Sequence, residues 1–315
     1  MPVGATPESS PADAPTEPMP AQTTGESTWT IAKAILPGFT IRRTVREVRL
    51  QFTVADDRGR LVNGLAGSDF RIHDNQAAVP RIRNFSRLEN LPLQAAILLD
   101  VSDSVRPVAA RENQAARFFV EHVLRPQTDR ASLLAFSNEV RLWQRATGDR
   151  NALYQALAKV RQLGFITYLY DSVHRACLEQ FSASHEGEFA QRVLVLISDG
   201  EDTGSLHSLA DAVSLAQRRE VQIFALSVHP PQKDAAGDKT LQRLADATGG
   251  RFYLAASEKD YPAIFTAMEQ EMRNQYSVAF QPAEYTPGFH TVQIELAGGA
   301  RFQVHARRGY YFDVP

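Results

Sequence analysis

The apolar and polar positions divide the chain into three stretches. From Val45 the pattern has a period of two: Val48, Leu50, Phe52 and Val54 are interrupted by polar or charged residues, Asp56-Asp57-Arg58-Gly59 reads as a turn, and Leu61-Val62 resumes the alternation. This predicts a β-hairpin in which the paired acids serve turn chemistry rather than cation binding. Residues 70–72 and 81–85, on either side of a turn at Asp74-Asn75, predict further short antiparallel strands.

From about Leu93 fully apolar runs alternate with amphipathic ones. Strands are predicted at 95–100, 131–136, 140–143, 193–197, 221–228 and 252–254, and helices at 106–124, 151–163, 168–181, 206–219, 241–248 and 261–275. A strand as apolar as Val193-Leu-Val-Leu-Ile197 needs cover on both faces. The alternation therefore predicts an α/β fold, a doubly wound and mostly parallel sheet between two helical layers. After Gln275 the period of two returns at 276–280, 291–296, 302–304 and 310–312. Neither terminal β stretch is long enough for a comfortable core of its own. The expected organisation is an N-terminal β segment over 40–90, an α/β domain over 91–275, and a C-terminal β segment over 276–315 that packs with 40–90 as a small antiparallel β unit.

Residues 1–27, rich in Pro, Ala, Ser and Thr, cannot bury enough apolar area to offset ordering entropy and read as a disordered tail. Trp29 to Leu36, stopped by Pro37-Gly38, reads as a short element that docks on the body. A length of 315 residues suits about two domains. A formal net charge of −2 with no long basic block argues against nucleic acid as the main partner. Cys177 is alone, so it forms no intramolecular disulfide and no cysteine-based zinc site. No apolar run reaches the roughly 18 residues of a membrane span, and Met1 leads into a segment with neither the basic start nor the apolar stretch of a signal peptide.

Ligands of open α/β sheets collect beyond the carboxyl ends of the strands, and three segments bring oxygen side chains there. Asp100, Ser102 and Ser104 follow the first α/β strand, Thr167 lies in a loop between two helices, and Asp199 ends a buried strand ahead of Gly200. Two carboxylates and three hydroxyls, with no soft ligand, suit Mg²⁺, with Mn²⁺ or Ca²⁺ as substitutes. Such a set leaves the ion short of negative charge, so an incoming carboxylate is a strong further ligand. Asp103 reads as a cap or solvated charge, Glu201 and Asp202 as an acidic rim, and Asp171 as a loop anchor bonded to backbone N–H groups. Phe136 and Trp143 read as sheet core, Tyr168 equally as core or as partner-facing, while His174 and His207 lack metal-ligand spacing.

Asp100-x-Ser102-x-Ser104, Thr167 ahead of Leu169-Tyr170-Asp171-Ser172-Val173, and Ser198-Asp199-Gly200 resemble the metal-ion-dependent adhesion site of von Willebrand factor type A (VWA) domains. The resemblance implies direct hydroxyl ligands at Ser102, Ser104 and Thr167, largely water-mediated acids at Asp100 and Asp199, and an antiparallel edge strand at 140–143. Phe165-Ile166 departs from it, standing where the wider family often has glycine. The flanks, Val54 to Leu65, Asp69-Phe70 and Ala306-Arg-Arg-Gly-Tyr310, are similar to bacterial VWFA-related proteins first grouped from acidobacteria, which implies an exported protein.

The expected function is a non-enzymatic, divalent-cation-dependent protein-interaction module whose bound Mg²⁺ accepts an Asp or Glu carboxylate from a partner protein. Two other readings compete with it. One is a domain that uses the metal only for stability. The other is a Mg²⁺-dependent phosphohydrolase, which would want a second Asp two residues after Asp100, where this chain has Ser102.

Overall fold

The computed structural model describes residues 47–161, 164–181, 190–229, 235–297 and 302–312. The expected tail over 1–27, the element at 29–36, Val45 and the end of the helix expected over 151–163 lie outside the described residues.

The chain begins with four strands, β1 Val48–Ala55, β2 Phe70–Asp74, β3 Ala77–Ala78 and β4 Ile82–Glu89. The α/β portion follows: β5 Leu93–Asp100, α1 Ala109–His122, β6 Arg130–Phe136, β7 Val140–Thr147, α2 Arg150–Lys159, α3 Leu169–Gln180, β8 Gln191–Ile197, α4 Leu209–Arg218, β9 Gln222–Ser227, α5 Ala235–Thr248, β10 Phe252–Leu254 and α6 Tyr261–Arg273. Four strands end it, β11 Asn274–Phe280, β12 Gly288–Leu296, β13 Gln303–Ala306 and β14 Gly309–Phe312.

The central sheet has the order β10-β9-β8-β5-β6-β7. All its pairings are parallel except β6 with β7, so β7 is an antiparallel edge. The alternate faces of the strands bury different layers. Ile97, Leu99, Val193 and Val195 pack with Phe119 of α1 and Phe265 and Met268 of α6, whereas Leu98, Leu194 and Leu196 pack with Val173 of α3, Ala212 of α4 and Leu244 of α5. Cover on both faces is what a run of seven buried residues in β8 requires.

The remaining strands form two four-stranded sheets, β13-β1-β11-β4 and β14-β12-β2-β3. Their inner faces share one core, with Leu50, Phe52, Phe70, Ile72, Tyr276, Val278, Ile294 and Phe312. The hairpin expected around 56–59 does not form as a strand pair. Asp56 does make a tight turn, accepting N–H bonds from Arg58 and Arg60 at 2.9 Å each. Leu61 then meets Ala55 in a single bridge, and β1 pairs with β11 and β13. Pairing with strands more than two hundred residues away puts Phe52 against Phe70 and Tyr276, at ring separations of 5.1 and 5.6 Å. A local hairpin offers no comparable apolar burial.

The two portions meet at a buried ion pair below the N-terminal end of β5. Arg273, the last residue of α6, donates to Asp129 Oδ2 at 2.6 Å, to the Val123 carbonyl at 2.7 Å and to the Leu91 carbonyl at 3.0 Å. Asp129 also accepts the N–H of Leu93 at 3.0 Å and of Arg125 at 2.8 Å. Burial alone would raise the Asp129 carboxyl, but Arg273 and these N–H groups outweigh it and hold it below the usual range. Helix α6 passes directly into β11 at this point, with no intervening loop.

Two predictions follow from this joint. Asp129→Ala, which strands a buried guanidinium, is expected to cost about 3–5 kcal/mol in denaturant unfolding; a loss below about 1 kcal/mol would show that the pair does not hold the joint. Nearby, burial pushes the Glu271 carboxyl up to about 7 against the opposing charge of Arg251, whose Nε lies 3.0 Å from it. The folded protein thus keeps a proton that the unfolded chain releases at its ordinary pKa of 4.5, so this group lowers stability as pH rises from 4.5 through about 7. His305, pushed down to about 4 by burial and Arg251, acts in the opposite sense as pH falls below 6.5, in wild type and variant alike. Glu271→Gln is therefore expected to gain Tm over wild type at pH 8 and to lose that gain at pH 5. A gain independent of pH would contradict the assignment.

Candidate metal centre

Asp100 is the last residue of β5 and is 1% exposed. Its Oδ1 accepts the N–H of Ser102 at 2.9 Å, which folds the chain back at the strand end, and its Oδ2 accepts the hydroxyl of Ser198 at 2.7 Å. Ser198 follows β8, so this bond ties the ends of the two central strands together. The Ser198 hydroxyl oxygen also accepts the N–H of Gly200 at 3.0 Å. Ser102 and Ser104 bring their hydroxyl oxygens to 3.1 Å of each other.

Asp199 sits in the tight turn after β8. Its Oδ1 accepts the N–H of Glu201 at 3.1 Å, while Oδ2 is buried with no hydrogen-bond partner among the described residues. Gly200 has φ +80°, and a Cβ there would come within 2.2 Å of the Gly237 carbonyl oxygen. A Cβ on Gly237 would in turn meet the Asp199 carbonyl oxygen at 2.0 Å. Only two glycines let the Asp199 turn and the first turn of α5 approach this closely.

Thr167 is 2% exposed and reaches the same edge through a second loop. Its N–H donates to Thr203 Oγ1 at 2.9 Å, and the Thr203 N–H donates to the Thr167 carbonyl at 2.9 Å. The neighbouring N–H of Tyr168 donates to the Ser137 carbonyl, beyond the end of β6, at 2.8 Å. Hydrogen bonds thus connect Asp100, Ser102, Ser104 and the Asp199 turn directly, and bring in Thr167 through Thr203.

One acid plays a part that the sequence pattern did not convey, and a second plays the part expected of it. Asp202 is no solvated rim: it accepts N–H bonds from Leu169 at 2.8 Å and Tyr170 at 3.3 Å and the Ser205 hydroxyl at 2.5 Å, so it caps the start of α3 from another loop. Asp171 returns the connection, accepting from the N–H groups of Leu206 and His207 at 3.0 and 2.8 Å. Burial would raise the Asp171 carboxyl, but these donors outweigh it and hold it below the usual range. Ser198 and Thr203 were the residues missed. Thr203 has no signal in its spacing, and Ser198, although it stands in the Ser198-Asp199-Gly200 motif, shows no role there, because each acts through a partner distant in sequence.

The side chains brought to this edge are all oxygen-bearing. Burial pushes the Asp100 carboxyl up to about 7, the hydrogen bonds of Ser102 and Ser198 oppose this, and the nearby charge of Asp199 adds to it. Two acids at close quarters, one with an oxygen that no donor reaches among the described residues, and the hydroxyl side chains of Ser102, Ser104 and Thr167 form an oxygen-only set. Among the described residues no group of three or more His, Cys, Asp or Glu side chains could hold a metal, so a nitrogen- or sulfur-based centre has no counterpart there. His174 and His207 stack on each other at 4.0 Å, with His207 Nδ1 2.8 Å from Asp171.

The sequence matches the family model of the von Willebrand factor type A domain over residues 96–267. A human protein, von Willebrand factor A domain-containing protein 3A, is 26% identical over 201 residues, covering 62% of this chain and 16% of that protein. The chain thus spans about a sixth of the length of that relative. Among solved structures, BatB from Bacteroides thetaiotaomicron is 17% identical with a TM-score of 0.47, covering 57% of this chain and 98% of that one. Proximal thread matrix protein 1 from the mussel byssus, in a form with a zinc-occupied MIDAS motif, is 18% identical with a TM-score of 0.48, covering 62% of this chain and 50% of that one. The family match extends over more than half of the chain and spans the strand ends just described, and the protein belongs to the von Willebrand factor type A family.

Proposed function

We propose that the protein is a divalent-cation-dependent protein-binding module, in which Asp100, Ser102, Ser104, Thr167 and Asp199 hold Mg²⁺ and the ion takes an Asp or Glu carboxylate from a partner. The observation that carries this reading is the buried Asp199 Oδ2, an acid oxygen with no donor among the described residues, beside a second buried acid and paired serine hydroxyls. A buried carboxylate oxygen without a donor is costly unless a cation neutralises it. Mg²⁺ fits a set with two acids and several hydroxyls, and Mn²⁺ or Ca²⁺ would substitute with looser geometry. The ion would supply a positive centre at the mouth of the sheet, drawing a partner carboxylate into coordination.

Binding suits this site better than turnover. Asp100 has both oxygens engaged by Ser102 and Ser198, and the position two residues on is Ser102, which cannot act as a carboxylate acid or base. The same reading divides the protein into a VWA body over 91–275 that carries the site and a supporting β unit built from 40–90 and 276–315. The family resemblance of the flanks points to a place outside the cytoplasm.

Ser104→Ala tests the metal directly, since the partner seen for the Ser104 hydroxyl is Ser102 and the fold loses little else. For wild type, Mg²⁺ at a hundredfold excess over its Kd is expected to raise stability by about 2.7 kcal/mol. Ser104→Ala is expected to need at least tenfold more Mg²⁺ for the same shift, by about 1.4 kcal/mol of lost affinity. An identical Mg²⁺ titration for both proteins, or none for either, would overturn the proposal. Stabilisation with no chelator-sensitive partner in pull-down would leave a structural metal instead.

A further inference from the structure

Three of the largest exposed apolar side chains gather at this edge of the sheet. Phe165 is 80% exposed, Ile166 45% and Leu206 95%. The first two stand in the loop that delivers Thr167, and Leu206 stands in the loop that runs on from Asp199. Among the described residues only five other large hydrophobics are comparably exposed, namely Leu142, Leu178, Tyr285, Phe289 and Phe302, and none of these lies in the loops that bear the five oxygen residues. A solvated leucine by itself means little. Three on two hydrogen-bonded loops, beside the five oxygen residues, form a feature of the kind that marks interaction surfaces.

The backbone beneath these side chains is fixed. The reciprocal bonds between Thr167 and Thr203, both at 2.9 Å, stitch one loop to the other. Gly204, next to Thr203, packs against the Thr167 loop: a Cβ there would meet Tyr168 Cε1 at 2.3 Å and Ile166 Cγ2 at 3.0 Å. Asp171 pins the N–H of Leu206 at 3.0 Å. Leu206 therefore projects from an anchored backbone, and an apolar group held this way loses little further freedom when it is covered.

The lining beside Asp100 and Ser102 is charged instead. Asp100 and Ser102 border a pocket that is also lined by Arg106, Asn113, Val160 and Arg161. Arg106 is ion-paired with Asp103, and the exposed Arg161 donates to the carbonyls of Ala158 and Val160. Guanidinium groups beside Asp100 and Ser102, with apolar side chains on the loops of Thr167 and Asp199, complement an acidic segment that also carries a large apolar residue.

Resting on the metal reading above, we propose that Phe165, Ile166 and Leu206 select the partner. The occupant is a protein segment in which the metal-bound Asp or Glu is flanked by a leucine- or phenylalanine-sized side chain, which covers this apolar rim.

The test is to pan a random heptapeptide phage library with a fixed central Asp against the full chain in Mg²⁺, eluting first with EDTA and then with acid. The EDTA-eluted pool is expected to be enriched in Leu, Ile, Phe or Met beside the Asp. Synthetic peptides from it are expected to bind at least about tenfold tighter than their Gly-flanked versions, the contribution of one covered aliphatic side chain. Phe165→Ser with Leu206→Ser is expected to erase that preference, its Mg²⁺-dependent rise in Tm serving as the folding control. EDTA-eluted peptides with no apolar enrichment would overturn the rim proposal while sparing the metal reading. Apolar-enriched peptides that resist EDTA and leave only in acid would overturn the metal reading, and with it the coupling proposed here. Mg²⁺-dependent dimerisation abolished by Leu206→Ser would assign the rim to a second copy of the chain, and no enrichment at all would reject the peptide partner; both contradict the proposal.

Discussion

Asp100 places a carboxylate at the end of the central strand, where it is buried and tied on one side to the Ser102 N–H and on the other to the Ser198 hydroxyl. Removing a carboxylate from water is costly, and these two bonds offset only part of that cost. They also determine the local architecture. The first bends the chain so that Ser102 and Ser104 face each other, and the second clamps β5 to β8 so that Asp199 emerges beside Asp100. Gly200 and Gly237 then allow the Asp199 turn to settle against α5. Each of these features would relax if the strand ended on an apolar residue.

The opposite end of the same strand has a different task. There the N–H of Leu93 is held by Asp129, which is itself paired with Arg273 as α6 turns into β11. The sheet thus has a structural end and a chemical end about one strand length apart. At the structural end the β strands from both chain termini share an aromatic core around Phe52, Phe70 and Tyr276. Substitutions in that core act on stability, whereas substitutions at the mouth of β5 and β8 act on the oxygen cluster.

Features with a local signature were legible in the sequence. The apolar runs of β5 and β8 announced a sheet covered on both faces, and the positions of Asp100 and Asp199 at or just past their ends announced that both acids would meet at one edge. Features that depend on distant partners were not. The turn at Asp56 looked like a hairpin because its local chemistry is that of one, yet β1 finds its partners near the C-terminus. Asp202 looked like a rim charge, since nothing beside it in sequence shows that it caps α3. Leu206 fitted the apolar period of the next helix, but the Ser208–Asp211 capping box starts α4 three residues later and leaves Leu206 in solvent. Helix α5 begins at Ala235, earlier than its apolar positions suggested, because its first turn includes Gly237, which packs by lacking a side chain.

The proposed function requires a cation in the oxygen cluster at the ends of β5 and β8. Anomalous scattering from crystals grown in Mn²⁺ tests it most directly, because it locates the ion without reference to activity or partner. One strong peak is expected at about 2.1 Å from the hydroxyl oxygens of Ser102 and Ser104, with Asp100, Thr167 and Asp199 around it. A Mn²⁺-soaked crystal with no peak there, or with its ion elsewhere on the chain, would contradict it.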